Sequence, residues 1–206
     1  MQFGIVIALA GCTTMQSSRV LDPGKTQLGV GVTRITLNED DEPIYAGEVR
    51  VARGVSDTFE LGAHLVRTPG MGEAFSSLGI DPKFQVSRSA TSAVSVAIPF
   101  SVAWTDEGFH DLATGTIQLF PTLYAGVDLS KNVELVFSPR AGIAKLSKEG
   151  SDPIYGIGAA IGLHIGDAAT SSALHPEFSI LNIGSVEDSG DSETFVMIGI
   201  GVTAGD

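Results

Sequence analysis

From residue 26 onward, apolar residues recur at almost every second position of the chain. The clearest stretch is Leu78-Gly79-Ile80-Asp81-Pro82-Lys83-Phe84-Gln85-Val86. One parity reads Leu78, Ile80, Pro82, Phe84, Val86, and the other Gly79, Asp81, Lys83, Gln85. Successive side chains of a β-strand point to opposite faces, so this segment has one apolar face and one polar face. The same period predicts strands over residues 27–33, 45–52, 59–65, 78–86, 93–104, 117–127, 133–143, 155–164, 177–180 and 195–202. The ninth is the least regular, with Phe178 and Ile180 against Glu177 and Ser179 and mixed parity beyond. No segment repeats at three and four as a helix would.

The composition of the two parities decides which face looks out. A face turned to water should be rich in Lys and Glu. Here the non-apolar parity is Gly, Ser, Ala and Thr with single charges, which suits a crowded concave interior. The predicted fold is therefore all-β: an antiparallel up-and-down transmembrane β-barrel of about ten strands over residues 26–204, apolar side outward. Most of the strands reach the roughly 9–11 residues that a tilted membrane strand requires. The connections alternate in the same sense: short near 54–56, 87–90 and 128–132, longer and polar near 37–43, 67–76, 105–114, 146–152 and 185–192. Outward aromatics fall near strand ends, with Tyr45, Trp104 and Tyr155 toward the loops and Phe59, Phe84 and Phe178 toward the turns. A soluble barrel would show the same alternation turned inside out.

Two consequences follow for the interior. Buried charges are costly unless paired, so Glu48, Arg50, Glu60, His64, Asp81, Lys83, Glu134, Arg140 and His164 should form a lumenal network of cross-strand ion pairs. Glu48 with Arg50 and Asp81 with Lys83 are the sets the sequence places side by side. Pro82, Pro99, Pro121 and Pro139 lie in mid-strand and each removes a ladder donor, so bulges or breaks are expected there.

The amino terminus differs. Phe3 to Ala10 is a short apolar run, and Leu9-Ala10-Gly11-Cys12 resembles the lipobox of bacterial lipoproteins. The resemblance implies a signal peptide over residues 1–11, lipidation at Cys12, and a periplasmic tether over residues 12–25. From residue 26 the chain resembles small bacterial outer-membrane β-barrel proteins. The residues that carry this are Ile117-Gln118-Leu119-Phe120-Pro121-Thr122-Leu123-Tyr124-Ala125-Gly126-Val127 followed by Val133-Glu134-Leu135-Val136-Phe137-Ser138-Pro139-Arg140-Ala141-Gly142. That resemblance implies a lipid-anchored place in the outer membrane, with outer-membrane lipid and the barrel-assembly machinery as partners. The end of the chain, Val202-Thr203-Ala204-Gly205-Asp206, departs from the group in lacking a terminal aromatic.

Charge and chemistry narrow the function further. The 206 residues carry a formal charge of −12, which disfavours nucleic acid as a partner. The single cysteine rules out an internal disulfide framework. His64, His110, His164 and His175 have no Ser or Thr two positions away, and no nucleophile, metal or phosphate motif occurs, so no enzymatic activity, metal or cofactor is expected. The acidic stretches Glu39–Glu42, Asp106–Glu107 and Glu187–Glu193 read as solvated loops. The glycines Gly29, Gly31, Gly156, Gly158, Gly162, Gly199 and Gly201 line adjacent strands and either let them coil or leave room for an acyl chain. Ten strands lie just above the size that side chains fill completely. The expected role is structural, or that of a narrow channel binding or passing a small solute or lipid. The alternatives are a soluble, lipid-anchored periplasmic barrel for a hydrophobic ligand, and a lipid-modifying outer-membrane enzyme.

Overall fold

In a computed structural model, the described residues are 16–36, 42–68, 74–105, 116–146, 153–167, 172–186 and 192–206. They form twelve strands: β1 (Thr26–Thr36), β2 (Ile44–Ser56), β3 (Phe59–Thr68), β4 (Phe75–Arg88), β5 (Ser92–Ala97), β6 (Phe100–Thr105), β7 (Thr116–Leu119), β8 (Thr122–Ser130), β9 (Val133–Leu146), β10 (Ile154–Asp167), β11 (Ser172–Ser185) and β12 (Ser192–Gly205). β4 pairs with both β5 and β6, and β9 with both β7 and β8. β5–β6 and β7–β8 are thus single staves, each interrupted once, and the wall has ten. β1 pairs with β2 on one side and β12 on the other, from Gln27↔Gly205 to Thr36↔Val196, which closes the barrel. All pairings are antiparallel between successive staves. No described helix is long and apolar enough to cross a membrane, and closure leaves the wall without an exposed edge.

The interruptions are the prolines. β5 stops before Ile98-Pro99 and β7 before Phe120-Pro121, while Pro82 and Pro139 remain inside β4 and β9. The residue before a proline is steered to extended backbone, so the chain keeps its direction through each break. The seam is re-tied by the proline carbonyls: Ile98 N donates to Pro82 O at 2.9 Å, Phe120 N to Pro99 O at 3.3 Å, and Ala141 N to Pro121 O at 3.2 Å. Between β8 and β9 the pairing passes from Thr122↔Arg140 to Ala125↔Phe137, so the stretch at Pro139 stays unlaced.

Side-chain burial settles the direction of the faces. Ile80, Ile161 and Ile198 are 51%, 48% and 56% exposed, whereas Asp81 and Lys83 are 2% and 1% exposed. The apolar parity of every stave forms the outside of the barrel. A soluble barrel of the opposite sense is ruled out, since that much contiguous apolar surface is stable only against lipid. At one rim the connections are short, at residues 57–58, 89–91, 131–132 and 168–171, and both chain ends of the barrel lie there. This is the turn end. The Phe59 and Phe84 rings stack near it, 4.9 Å apart. The opposite rim, the loop end, carries the longer connections.

Strand β11 runs unbroken from Ser172 to Ser185, unlike the expectation from its sequence, although its ladder to β10 lapses at His175-Pro176. Its parity looked mixed because Leu181 and Ile183 point inward and are buried inside the barrel.

Candidate functional site

The turn-end half of the lumen is a network of charges. β2, β3 and β4 each send alternate residues inward, and their registers bring Arg50 opposite His64 and Glu60 opposite Lys83. Arg50 Nη2 donates to Glu60 Oε1 at 2.9 Å, and Arg50 Nε to Asp81 Oδ2 at 3.4 Å. His64 Nδ1 lies 2.9 Å from Asp81 Oδ1. The ion pairs therefore run across the strands. Arg50 and Asp81, two strands apart, are bonded to each other, and each has a further partner across the strands, Glu60 for Arg50 and His64 for Asp81. None of these pairs joins directly opposed positions, since Arg50 faces His64 and His64 faces Gly79, so the long side chains reach diagonally across the lumen.

Lys83 takes its partners from elsewhere. Its ammonium donates to the carbonyl oxygens of Ser17 at 2.7 Å and Arg19 at 2.9 Å, and stands 5.3 Å from the centroid of the Tyr124 ring. Residues 16–22 enter the turn-end mouth and fill it. Gln85 Nε2 donates to Ser18 O at 3.3 Å, and Val20 N donates to Gln85 Oε1 at 3.0 Å. Leu21 N donates to Glu60 Oε2 at 2.9 Å. The Arg19 guanidinium holds both carboxylate oxygens of Asp128, at 2.8 and 2.9 Å, and Glu134 Oε1 at 3.2 Å. Ser18 Oγ donates to the same Glu134 oxygen. Residues 16–22, which belong to the stretch 12–25 expected as a periplasmic tether, thus sit in the mouth as a plug.

Two inward positions make room for it. A Cβ on Gly126 would lie 2.3 Å from both Ser18 Oγ and Glu134 Oε1, and one on Gly54 would lie 2.2 Å from Asp22 O. Only glycine lets the plug come this close to the wall. Around it remains a polar cavity of about 190 Å³, bordered by Lys25, Arg88, Asp128, Lys131 and His164 among others.

The loop-end half is filled differently. Ile35, Val66, Phe75, Phe120, Ile154, Leu181, Ile183, Phe195 and Met197 point inward and pack as one buried cluster. Phe195 and Leu181 are wholly sealed from solvent. The barrel interior is therefore two-storeyed, with the ion-pair network toward the turns and, toward the loops, this apolar cluster beside buried Thr33, Glu48, Thr68, Ser76, Thr116 and Gln118.

Every one of the lumenal residues named from the sequence lies on an inward position. Glu48 is buried and engaged. Glu134 holds the plug. His164 meets His175 edge to face, ring centroids 4.7 Å apart, and His175 Nε2 lies 3.0 Å from Thr203 Oγ1. Arg140 is buried, with Nε and Nη2 outside any hydrogen bond among the described residues. Sequence reasoning missed Gln85, Tyr124, Asp128 and the plug residues Ser17, Ser18 and Arg19. Gln85 and Tyr124 had a signal, their place on the inward parity, while residues 16–22 have no periodicity that could announce them. Cys12 and the acidic loops at 39–41, 106–107 and 187–191 lie outside the described residues. Among the described residues no group of three His, Cys, Asp or Glu side chains could hold a metal ion.

Among solved structures, the chain superposes on an outer membrane channel from Pseudomonas putida F1 with a TM-score of 0.54 and 8% identity, covering 92% of this chain and 98% of that one. It has the fold of an outer-membrane β-barrel. Looser likenesses are to the translocator domain of the autotransporter NalP from Neisseria meningitidis (TM-score 0.48, 11% identity, 99% and 94% covered) and to a bacterial polysaccharide outer membrane secretin (TM-score 0.49, 13% identity). The chain covers 87% of itself against that secretin but 64% of the secretin's length. No protein-family model matches, and no curated protein matches in sequence.

Proposed function

We propose that the protein is a sealed structural barrel of the bacterial outer membrane, anchored a second time through a lipid on Cys12, and neither an open pore nor a lipid-modifying enzyme. The observation that carries this reading is the filling of the lumen from both ends, by the Phe195–Leu181 cluster at the loops and by residues 16–22 at the turns. A continuous water file needs polar lining and space, and nine large apolar side chains deny both. The test is planar-bilayer recording of the purified full chain. Flat traces at all voltages support the reading, and discrete, reproducible conductance steps overturn it. The anchor is tested separately by acyl labelling in cells, which a Cys12→Ser change should abolish.

A second reading rests on the polar cavity beside the plug. Its borders carry both signs of charge, from Arg19 and Lys131 to Asp128 and Glu134, and its volume suits one small zwitterionic solute or several waters. Equilibrium dialysis of the detergent-solubilised barrel against amino acids and small sugars distinguishes the two.

A further inference from the structure

We infer that the turn-end mouth of the barrel is a binding site for a short peptide segment, read chiefly through its main chain, which residues 17–21 occupy in cis and from which they can be exchanged. Five consecutive residues give up their main-chain groups to three lumenal side chains. The carbonyls of Ser17 and Arg19 accept from Lys83, that of Ser18 accepts from Gln85, and the N–H groups of Val20 and Leu21 donate to Gln85 and Glu60. The segment forms no ladder with the wall, so nothing in the barrel's own backbone pairing depends on it.

Two positions add selectivity to this backbone reading. Ser18 fits the notch above Gly126 and donates to Glu134, and Arg19 forks onto Asp128. A paired fork of this kind is directional as well as strong. The segment's own tie to the wall is the exposed turn Asp22–Lys25, where Lys25 N donates to Asp22 O at 3.0 Å, Gly24 N to Gly54 O at 2.9 Å, and Gly24 sits at φ 85°. Tethering through so short a turn gives a high effective concentration, so the cis segment fills the site without a large intrinsic affinity. Departure would strip Lys83 of both carbonyls and Asp128 of its cation, leaving a mouth that a second segment of the same chemistry would fit.

The inference goes beyond the sealed-barrel reading, because peptide exchange is observable in a barrel that never conducts. The experiment uses the full chain with a protease recognition sequence inserted between Pro23 and Gly24, an exposed point of the turn. The protein is folded, cut, and challenged with a fluorescent peptide spanning residues 13–22. Saturable uptake of one peptide per barrel, with release of the cut fragment, is the expected result. An Arg19→Glu peptide should bind at least ~30-fold more weakly, since it loses two or three charge-assisted bonds. A Gln85→Ala barrel should take up the normal peptide roughly tenfold more weakly while keeping its heat-modifiable gel migration. If the cut fragment stays and excludes labelled peptide, or if cutting destroys the barrel's folded migration, the segment is part of the wall's fold and the inference is overturned. Equal uptake of the normal and Arg19→Glu peptides would overturn it as well.

Discussion

Arg50 Nη2 stands 2.9 Å from Glu60 Oε1 with both side chains nearly closed to solvent, and each is held by a second group of the lumen, Arg50 by Asp81 and Glu60 by the Leu21 amide. Such a pair contributes little relative to a well-packed apolar pair, yet breaking it on one side leaves a naked buried charge. A Glu60→Leu change should therefore cost ~3–5 kcal/mol of stability, read from the urea midpoint of the barrel in vesicles. The double change Arg50→Met with Glu60→Leu should recover at least half of that loss. Strictly additive costs would show that the two residues are not coupled.

The outward face gives a prediction of different kind. Ile198 lies midway along β12 and is 56% exposed, while Val202 lies near the turn end on the same face. An Arg at the bilayer midplane costs ~2–4 kcal/mol and near the interface ~0–1 kcal/mol. Ile198→Arg should lower stability in lipid vesicles by the larger amount and Val202→Arg by the smaller. Equal and negligible effects would mean that the apolar belt faces no hydrocarbon.

The ten staves and the rim with tight turns were legible because a strand's period of two records two environments at once, and inside was told from outside by the small, sparsely charged residues of the polar parity. Ile80 beside Asp81 is enough to show that two solvents meet along β4. The partners were not legible. Period two says that Arg50 and Asp81 share a face, but register and tilt decide that they meet, and these come from long-range pairing. The apolar storey was missed because Leu181, Ile183, Phe195 and Met197 occupy the parity expected to be polar. On β11 they blurred the alternation that identifies a strand. The prolines were flagged as breaks or bulges, and Ile98-Pro99 and Phe120-Pro121 are breaks. Only the structure shows that the carbonyls of Pro82, Pro99 and Pro121 tie the seam.

The plug can be dislodged without replacing any charged residue. A side chain added at Gly126 would collide with Ser18 Oγ and Glu134 Oε1 at 2.3 Å. The wall position is fixed by its pairing with Ala93 on β5 and Val136 on β9, so the plug has to give way. Gly126→Val should leave barrel migration unchanged while making Arg19 and Lys25 sensitive to trypsin in the folded protein. Wild-type resistance at Arg19 is expected from its fork on Asp128. Identical digestion patterns for the two proteins would mean that residues 16–22 are not seated in the mouth in solution.

The apolar storey should behave like the core of a soluble protein, placed inside a barrel. Phe195 is wholly buried and packs within the cluster that includes Leu181, Ile183 and Met197. Truncating a buried Phe removes its transfer free energy and leaves a cavity, so Phe195→Ala should cost ~3–5 kcal/mol. The cavity would be lined by hydrocarbon, and an apolar cavity of that size stays dry. Bilayer recordings of Phe195→Ala should accordingly remain silent although the urea midpoint falls. Leu181→Asp places a carboxylate in the same layer, where it must draw in water to stay charged. The two variants should therefore separate: similar losses of stability, with ion leak only in Leu181→Asp. Current through Phe195→Ala alone would mean that a single ring, rather than the whole cluster, closes the lumen.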